Sequence, residues 1–199
     1  MDRKQNVKNY LTDYKNSLNN LLNLIDADIL EQIITKLIDT FKNGKTLYIA
    51  GNGGSAATAS HMQADFAFFV RYFTKFRPKV RALTDNVALI TAIGNDTTFF
   101  DIFVEQMKGN FEAGDTIICI SASGNSENVI RAADYANNHG GSSISFVGFE
   151  GGKLKDVAQL SLFTPNPKGE YGPIEDIHMI LNHILINYIT KDEEFLSLS

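Results

Sequence analysis

The sequence predicts a doubly wound α/β domain, with helices on both faces of a five-stranded parallel sheet. Three observations support this fold class. Short apolar runs alternate along the chain with helix-length amphipathic segments, turn-forming residues bound each run, and the runs are apolar throughout instead of at every second position. Strands with that continuous pattern are typical of a parallel sheet buried on both faces. A length of 199 residues fits one such domain preceded by extra helices.

The first forty-odd residues predict two amphipathic helices. Apolar residues recur at spacings of three and four from Leu18 to Ile25 and again from Ile29 to Phe41, and Gly44 ends the second helix. We assign residues 1–43 to a helical segment that packs on the core and at an oligomer interface. Residues 44–199 form the domain itself.

Five strands and the helices between them are predicted in the rest of the chain. The strands cover 47–50, 80–83, 116–120, 144–147 and, with a weaker pattern, 160–163. The helices cover 55–72, 87–93 with 99–108, 128–138 and 174–189. The last helix is apolar on nearly every side, which is typical of a helix buried by packing or by oligomerisation.

Composition and charge exclude several functional classes. The formal net charge is −5 and no Lys/Arg cluster is present, which argues against a nucleic-acid partner, because such surfaces need basic residues to neutralise phosphates. The polar N-terminus does not resemble a signal peptide, and no apolar stretch is long enough to span a membrane. Cys119 has no second cysteine to pair with and is predicted to pack in the core. We therefore expect a cytoplasmic protein without a nucleic-acid or membrane partner.

Two loops rich in glycine and serine form the first candidate ligand site. Residues 51–55 (GNGGS) follow the first strand and residues 121–126 (SASGNS) follow the third, and each loop leads into a helix. Ligands of doubly wound folds bind at the carboxyl ends of the strands, and glycine amides at a helix N-terminus bind phosphate. One such loop is equally consistent with plain turn and capping chemistry. Two of them favour a phosphate site, although neither matches a dinucleotide or P-loop motif.

Ionisable residues on two helices form the second candidate site. His61 and Asp65 are four residues apart and therefore share a helix face, where they could chelate a metal, act as acid and base, or form a simple ion pair. Polar residues also interrupt the apolar last helix at Glu175, Asp176, His178, Asn182 and His183. Such groups are costly in an apolar helix unless they are paired or functional. For His178, a core histidine with its hydrogen bonds satisfied is the simpler interpretation.

The chain resembles the phosphoheptose isomerases of the sugar isomerase (SIS) superfamily. The matching segments are GNGGS at 51–55, His61 four residues before an acid, AIGND at 92–96, ISASGNSENVI at 120–130 and PIEDIHMILNHILI at 173–186. The resemblance implies a single SIS domain of the flavodoxin-like type. It also implies isomerisation of sedoheptulose 7-phosphate to a heptose 7-phosphate through an enediolate, and a homotetramer with active sites at subunit interfaces.

The same resemblance implies a set of site residues. The implied substrate-binding residues are Asn52, Gly53, Gly54, Ser55, Asp65, Asn95, Asp96, Ser121, Ala122, Ser123, Ser126 and Glu175. Asp65 would be the catalytic base and His183 the acid or proton shuttle. One zinc ion per subunit would be held by His61, Asp65, Glu175 and His183.

Three positions depart from the family pattern and leave alternatives open. Asp65 stands where the family usually has Glu, Glu175 where it has Gln, and Pro173 where it has Arg. An isomerase of another phosphorylated sugar is therefore one alternative. A second is a non-catalytic SIS regulator similar to those that bind the bacterial replication initiator. Such regulators lack the acid and the histidine that this chain has at Asp65 and His183.

Overall fold

Five parallel strands form one sheet in the computed structural model, which describes residues 2–197. The strands are β1 Thr46–Gly51, β2 Lys79–Ala82, β3 Thr116–Ser121, β4 Ser142–Val147 and β5 Leu160–Phe163. Their order across the sheet is β2-β1-β3-β4-β5, and each neighbouring pair is parallel. This is the flavodoxin-like doubly wound order, so the predicted fold class is confirmed.

Helices cover both faces of the sheet. They are α1 Arg3–Leu22, α2 Ala27–Lys42, α3 Gly54–Asp65, α4 Arg71–Phe73, α5 Val87–Asp96, α6 Val104–Met107, α7 Glu127–Asn138, α8 Gly152–Val157, α9 Tyr171–Ile189 and α10 Glu193–Ser197. The sequence did not predict α8 or α10. Both are short, at 6 and 5 residues, and too brief to establish a periodic pattern.

Two predicted helices are interrupted in the structure. The helix expected over 55–72 contains a π-helical turn at Phe66–Val70, which lies between α3 and α4. Phe66 and Val70 are both buried at this turn, and π turns of this kind are frequent near functional sites. The helix expected over 99–108 begins instead as a 3₁₀ turn, because the Thr98 hydroxyl accepts the Phe100 N–H and caps that turn.

Burial of β1 on both faces of the sheet explains why its sequence is apolar throughout. Leu47 and Ile49 face a core formed with α2, α3 and α9, whereas Tyr48 and Ala50 face a second core formed with α6, α7 and α8. Both faces of the strand are therefore covered. Cys119 of β3 lies in the second core as predicted, and burial raises the pKa of its thiol well above the usual range.

The N-terminal helices pack on the first core to different extents. The Asp26 carboxylate caps α2 by accepting the N–H groups of Asp28 and Ile29, and α2 then buries one apolar face. By contrast, α1 buries only Leu21 and packs against α9. The division of the chain at residue 43 and the role of this segment in an oligomer remain predictions.

Apolar side chains are exposed on α5 and around α4. No residue of α5 is buried, and Val87 and Leu89 on this helix are 68% and 41% exposed. A second exposed group contains the aromatic residues Phe68, Phe69, Tyr72 and Phe73. Contiguous exposed apolar surface of this kind marks interaction sites. Within residues 2–197, no helix combines the length and apolarity required to cross a membrane.

Candidate active site

A cleft opens between the carboxyl ends of β1 and β3, the point at which the strand order of the sheet reverses. Ligands of doubly wound folds bind at this point. The register pairs Gly51 with Ile120 and brings the two predicted loops side by side. The cleft has a volume of about 280 Å³. Its lining residues are Asn52, Gly53, Gly54, Ser55, Ile120, Ser121, Ala122, Ser123, Ser126, Tyr171 and Glu175.

The cleft is lined by neutral hydrogen-bond donors. The N-terminal ends of α3 and α7 open onto it, with Gly53 and Ser126 as their N-cap residues, and neither helix has a side-chain hydrogen bond at its N-cap. The first N–H groups of each helix, at Gly54 and Ser55 and at Glu127 and Asn128, are therefore available to a ligand, whereas those of Ala56 and Val129 already donate hydrogen bonds. The helix dipoles favour an anion at this position. No Lys or Arg belongs to the described lining. The arrangement can hold a phosphate without a cationic side chain.

Side-chain hydrogen bonds and glycine packing fix the two cleft loops. Asn52 and Asn128 exchange a pair of amide hydrogen bonds of 2.9 and 3.0 Å, which join the loop after β1 to α7. In the second loop the Gly124 N–H donates to Ser121 Oγ at 3.1 Å. Gly124 has φ of +62°, and a Cβ there would overlap the Gly151 carbonyl oxygen. Glycine is therefore required at this position.

Three side chains on α3 and α9 form a separate polar group, which we call the His–Asp–His group: His61, Asp65 and His183. Asp65 Oδ2 lies 3.2 Å from His61 Nε2 and 4.0 Å from His183 Nε2. The side chain of Asp65 is 11% exposed, whereas those of His61 and His183 are 46% and 50% exposed. A mostly buried carboxylate therefore lies behind two accessible imidazoles.

The His–Asp–His group has the spacing of a partly filled tetrahedral zinc site. The two imidazole Nε2 atoms are 3.2 Å apart, and all three candidate ligand atoms lie within 4.8 Å of one another. Tetrahedral zinc with bonds of about 2.05 Å separates its ligand atoms by about 3.3 Å. Three protein ligands and one open position are typical of catalytic zinc. These residues thus fit the ion.

Glu175, the fourth metal ligand implied by the sequence, is not part of the His–Asp–His group. It lies just over two turns of α9 before His183, and its carboxylate packs against Gly54 at the cleft. A Cβ built on Gly54 would lie 2.6 Å from Glu175 Oε1. Glu175 therefore lies among the residues that line the cleft.

Asn95 and Asp96, which the sequence also implicates in substrate binding, lie outside the cleft. They end α5, where Asn95 Nδ2 donates to Asp96 Oδ1 at 2.8 Å, and both are exposed. Asp65 is likewise absent from the cleft lining. The single chain therefore does not bring all the predicted residues together.

Residues near the site that the sequence did not single out include Tyr171 and Ile120, which line the cleft. The sequence marks Asn182 only as a polar interruption of an apolar helix, yet its Nδ2 donates to Asp65 Oδ2 at 2.7 Å. The sequence offers one indication of this role, a polar amide next to His183 in an otherwise apolar helix. Sequence spacing alone does not identify Asp65 on α3 as its partner.

Two further titratable residues, His178 and Tyr14, have shifted pKa values but belong neither to the cleft nor to the His–Asp–His group. His178 is buried, neither ring nitrogen has a hydrogen-bond partner among the described residues, and burial lowers its pKa to about 3. It is therefore a neutral core histidine, as predicted, but the hydrogen bonds expected for its ring nitrogens are not made among the described residues. The Tyr14 hydroxyl donates to Asp176 Oδ2 at 2.6 Å and ties α1 to α9, and this bond raises the pKa of Tyr14 to about 12.

Comparisons with known proteins agree with this fold and these motifs. A family model described as the SIS domain matches residues 9–148. The phosphoheptose isomerase of Clostridium acetobutylicum is 35% identical over 85% of this chain and 86% of its own length. That of Nitratiruptor sp. is 37% identical over 79% of this chain and 82% of its own length. The solved structure of phosphoheptose isomerase GmhA from Neisseria gonorrhoeae superimposes with a TM-score of 0.83 at 27% identity, covering 94% of this chain and 98% of that one.

The sheet order, the glycine–serine cleft and the family model together define a SIS domain. The curated relatives narrow this class further, since they match most of both chains at more than 30% identity. The chain belongs to the phosphoheptose isomerase family within the SIS superfamily, as the sequence motifs predicted.

Proposed function

We propose that this protein isomerises sedoheptulose 7-phosphate to D-glycero-D-manno-heptose 7-phosphate through an enediolate. The observation that carries the proposal is a mostly buried carboxylate, Asp65, set behind two accessible imidazoles on a chain that also has a neutral phosphate cleft. Ketose-to-aldose conversion needs a base for a carbon acid, a group that moves protons between oxygens, and an anchor for the phosphate. The names of the relatives support this substrate.

The substrate phosphate binds at the cleft in this proposal. The amides of Gly53 and Gly54 and the hydroxyls of Ser55, Ser121 and Ser123 supply its hydrogen bonds. Neutral donors suffice because two helix N-termini add partial positive charge. The neutral donors and the helix N-termini together explain how a chain with a net charge of −5 would bind an anionic phosphate.

The proton transfers are assigned to Asp65 and His183. Asp65 removes the proton from C1 of the ketose and returns it to C2. When no metal is bound, His183 exchanges protons with the O1 and O2 oxygens of the sugar through Nε2, which is 4.0 Å from Asp65 Oδ2. One positioned acid–base group typically accelerates a reaction about 10²- to 10⁴-fold.

We further propose that the His–Asp–His group binds one zinc ion per chain. The residues that would hold it are His61, Asp65 and His183, and the 3.2 Å separation of the two Nε2 atoms supports this set. When bound, the ion would polarise the substrate carbonyl and stabilise the charge that develops on its oxygen.

We propose a cytoplasmic homotetramer whose active sites lie at subunit contacts. Along α3, Asp65 is eleven residues beyond Gly54 at the cleft, which corresponds to about 16 Å of helix. An extended seven-carbon sugar phosphate spans only about 10 Å with bonds of about 1.5 Å. A neighbouring chain that brings its His–Asp–His group to this cleft removes the mismatch. The apolar surface on α5 and the aromatic residues near α4 support such contacts.

Subunit sharing has its own test. Light scattering should give about 88 kDa, four chains of 22.0 kDa. Asp65→Asn chains mixed with Ser121→Ala/Ser123→Ala chains should recover activity that neither variant has alone, because each supplies the half that the other lacks. A monomer, or mixed assemblies without recovery, would contradict shared sites.

The activity is tested by NMR or mass spectrometry with sedoheptulose 7-phosphate, with and without zinc. Wild type should form the heptose 7-phosphate, a precursor suited to bacterial surface carbohydrate, and Asp65→Asn should lose about 10²- to 10⁴-fold in rate. Absence of turnover in every metal condition would overturn the proposal. Absence of turnover would favour a non-catalytic SIS regulator. Turnover of a shorter ketose phosphate, tested in parallel, without turnover of sedoheptulose 7-phosphate would favour an isomerase of another phosphorylated sugar.

A further inference from the structure

Asn182 is a buried amide in contact with the carboxylate of Asp65. It lies in α9 with none of its surface exposed, between the buried residues Leu181 and Leu185 of the same helix and facing α3. Its Nδ2 donates to Asp65 Oδ2 at 2.7 Å. The orientation of the amide follows from this partner, since a carboxylate oxygen only accepts and Nδ2 is the donor of the amide.

The other half of the amide has no partner. Asn182 Oδ1 is buried without a hydrogen bond among the described residues. A buried acceptor left unpaired costs stability, and a leucine has the same branched shape without this cost. The amide is therefore a poor choice for packing, and what it contributes is one directed N–H.

That N–H sets the rotation of the Asp65 carboxylate. The polar contacts described for Asp65, from Asn182, His61 and His183, all reach Oδ2. The bond from Asn182 is the shortest of the three contacts, and the Asn182 side chain is fully buried. With Oδ2 fixed in this way, Oδ1 is the oxygen left to meet a substrate.

We propose that Asn182 is a positioning residue that orients Asp65 for proton abstraction. The inference rests on the proposed isomerase function for its catalytic consequence. Asn182 itself touches no reacting atom. It directs Oδ1 of Asp65 towards the C–H bond that is broken, and the proton moves to that oxygen while the electron pair of the bond enters the enediolate. Displacement of a catalytic group by about 1 Å is sufficient to cost about 100-fold in rate.

The test uses Asn182→Leu in the full chain, with Asn137→Leu as the matched control. Asn137 is a structural amide on α7 with both groups satisfied, by the Val157 carbonyl at 2.9 Å and the Ser143 hydroxyl at 2.7 Å. We expect Asn182→Leu to lower kcat about 10- to 100-fold, with KM within about twofold. Tm should change by less than about 4 °C, because the hydrogen bond lost at Asp65 offsets the removal of the unpaired Asn182 Oδ1. Asn137→Leu should show the opposite pattern, a lower Tm with kcat and KM unchanged.

Loss of Tm in parallel with kcat, or an unchanged kcat, would overturn the positioning role of Asn182. A crystal structure of Asn182→Leu gives a readout independent of activity. The Asp65 carboxylate should be rotated or spread over two orientations, and an unmoved carboxylate would overturn the inference. If wild type fails to turn over sedoheptulose 7-phosphate, the proposed function fails, and this crystallographic result alone decides the inference about Asn182.

Discussion

Replacing Gly54 with alanine tests whether the cleft at the start of α3 binds substrate. The new Cβ would lie 2.6 Å from Glu175 Oε1, whereas ordinary contacts begin at 3.4 Å. Glu175 Oε2 would lie nearer still, so the carboxylate must move by about 1.1 Å, and the methyl group occupies space in the proposed phosphate site. Because the contact is the flexible end of a side chain, the backbone can stay in place.

The expected result of Gly54→Ala is a large loss of substrate binding without a loss of stability. Alanine is favoured over glycine in a helix by about 0.5–1 kcal/mol, which offsets the cost of moving Glu175. Tm should therefore change by less than about 4 °C in a chain of this size. KM for sedoheptulose 7-phosphate should rise at least about tenfold, since misplacement of a reactant by about 1 Å is costly.

Two further variants complete the Gly54→Ala experiment. Gly94→Ala is the stability control, because Gly94 is also helical and its Cβ would meet only Ile102 at 3.8 Å. In a double-mutant cycle with Glu175→Ala, the effects should be non-additive, since the collision requires both side chains. An unchanged KM, or a Tm decrease of more than about 8 °C, would refute the reasoning from the cleft geometry.

Three further predictions concern stability and metal binding. Because burial lowers the pKa of His178 from 6.5 to about 3, the unfolded chain binds a proton that the folded chain does not, and stability falls by up to about 1.4 kcal/mol per pH unit as the pH decreases below 6.5. Urea unfolding should show a flatter pH dependence for His178→Leu, and parallel slopes would contradict this. Gly124→Ala should lower Tm by about 4–12 °C, since a left-handed alanine and the overlap with Gly151 cost about 2–3 kcal/mol; an equal Tm would refute the strain. Calorimetry should find one zinc per wild-type chain and at least tenfold weaker binding by His61→Ala, with His139→Ala unaffected; equal affinities of the two variants would exclude the His–Asp–His group as the site.

The sheet and the cleft could be predicted from local sequence because their signals are local. Each strand is a short run that is apolar throughout, and the glycines at 53 and 124 mark turns with positive φ. The carboxyl ends of adjacent parallel strands necessarily meet, so two glycine–serine loops after β1 and β3 predicted a shared cleft. For these features, chain order and periodicity carry enough information.

The details of the site depend on contacts between distant parts of the chain. Asn182 meets Asp65 across 117 positions, and helix spacing gives no information on that partner. The position of Glu175 also differs from the prediction. The family resemblance implies that it is a metal ligand, but along α9 it is separated from His183 and lies against Gly54. The π-helical turn after Asp65 depends on the packing of Phe66 and Val70, which sequence patterns do not resolve.

The central claim is that this chain isomerises a heptulose phosphate by proton transfer through Asp65. The most direct measurement is the reaction of sedoheptulose 7-phosphate in D₂O, followed by NMR of the product. If Asp65 exchanges the abstracted proton with solvent before it protonates the enediolate, the heptose 7-phosphate carries deuterium at C2. The rate should be about 10²- to 10⁴-fold lower for Asp65→Asn than for wild type. Product that carries only protium at C2, transferred from C1 without exchange, or equal rates for wild type and Asp65→Asn, would contradict the account.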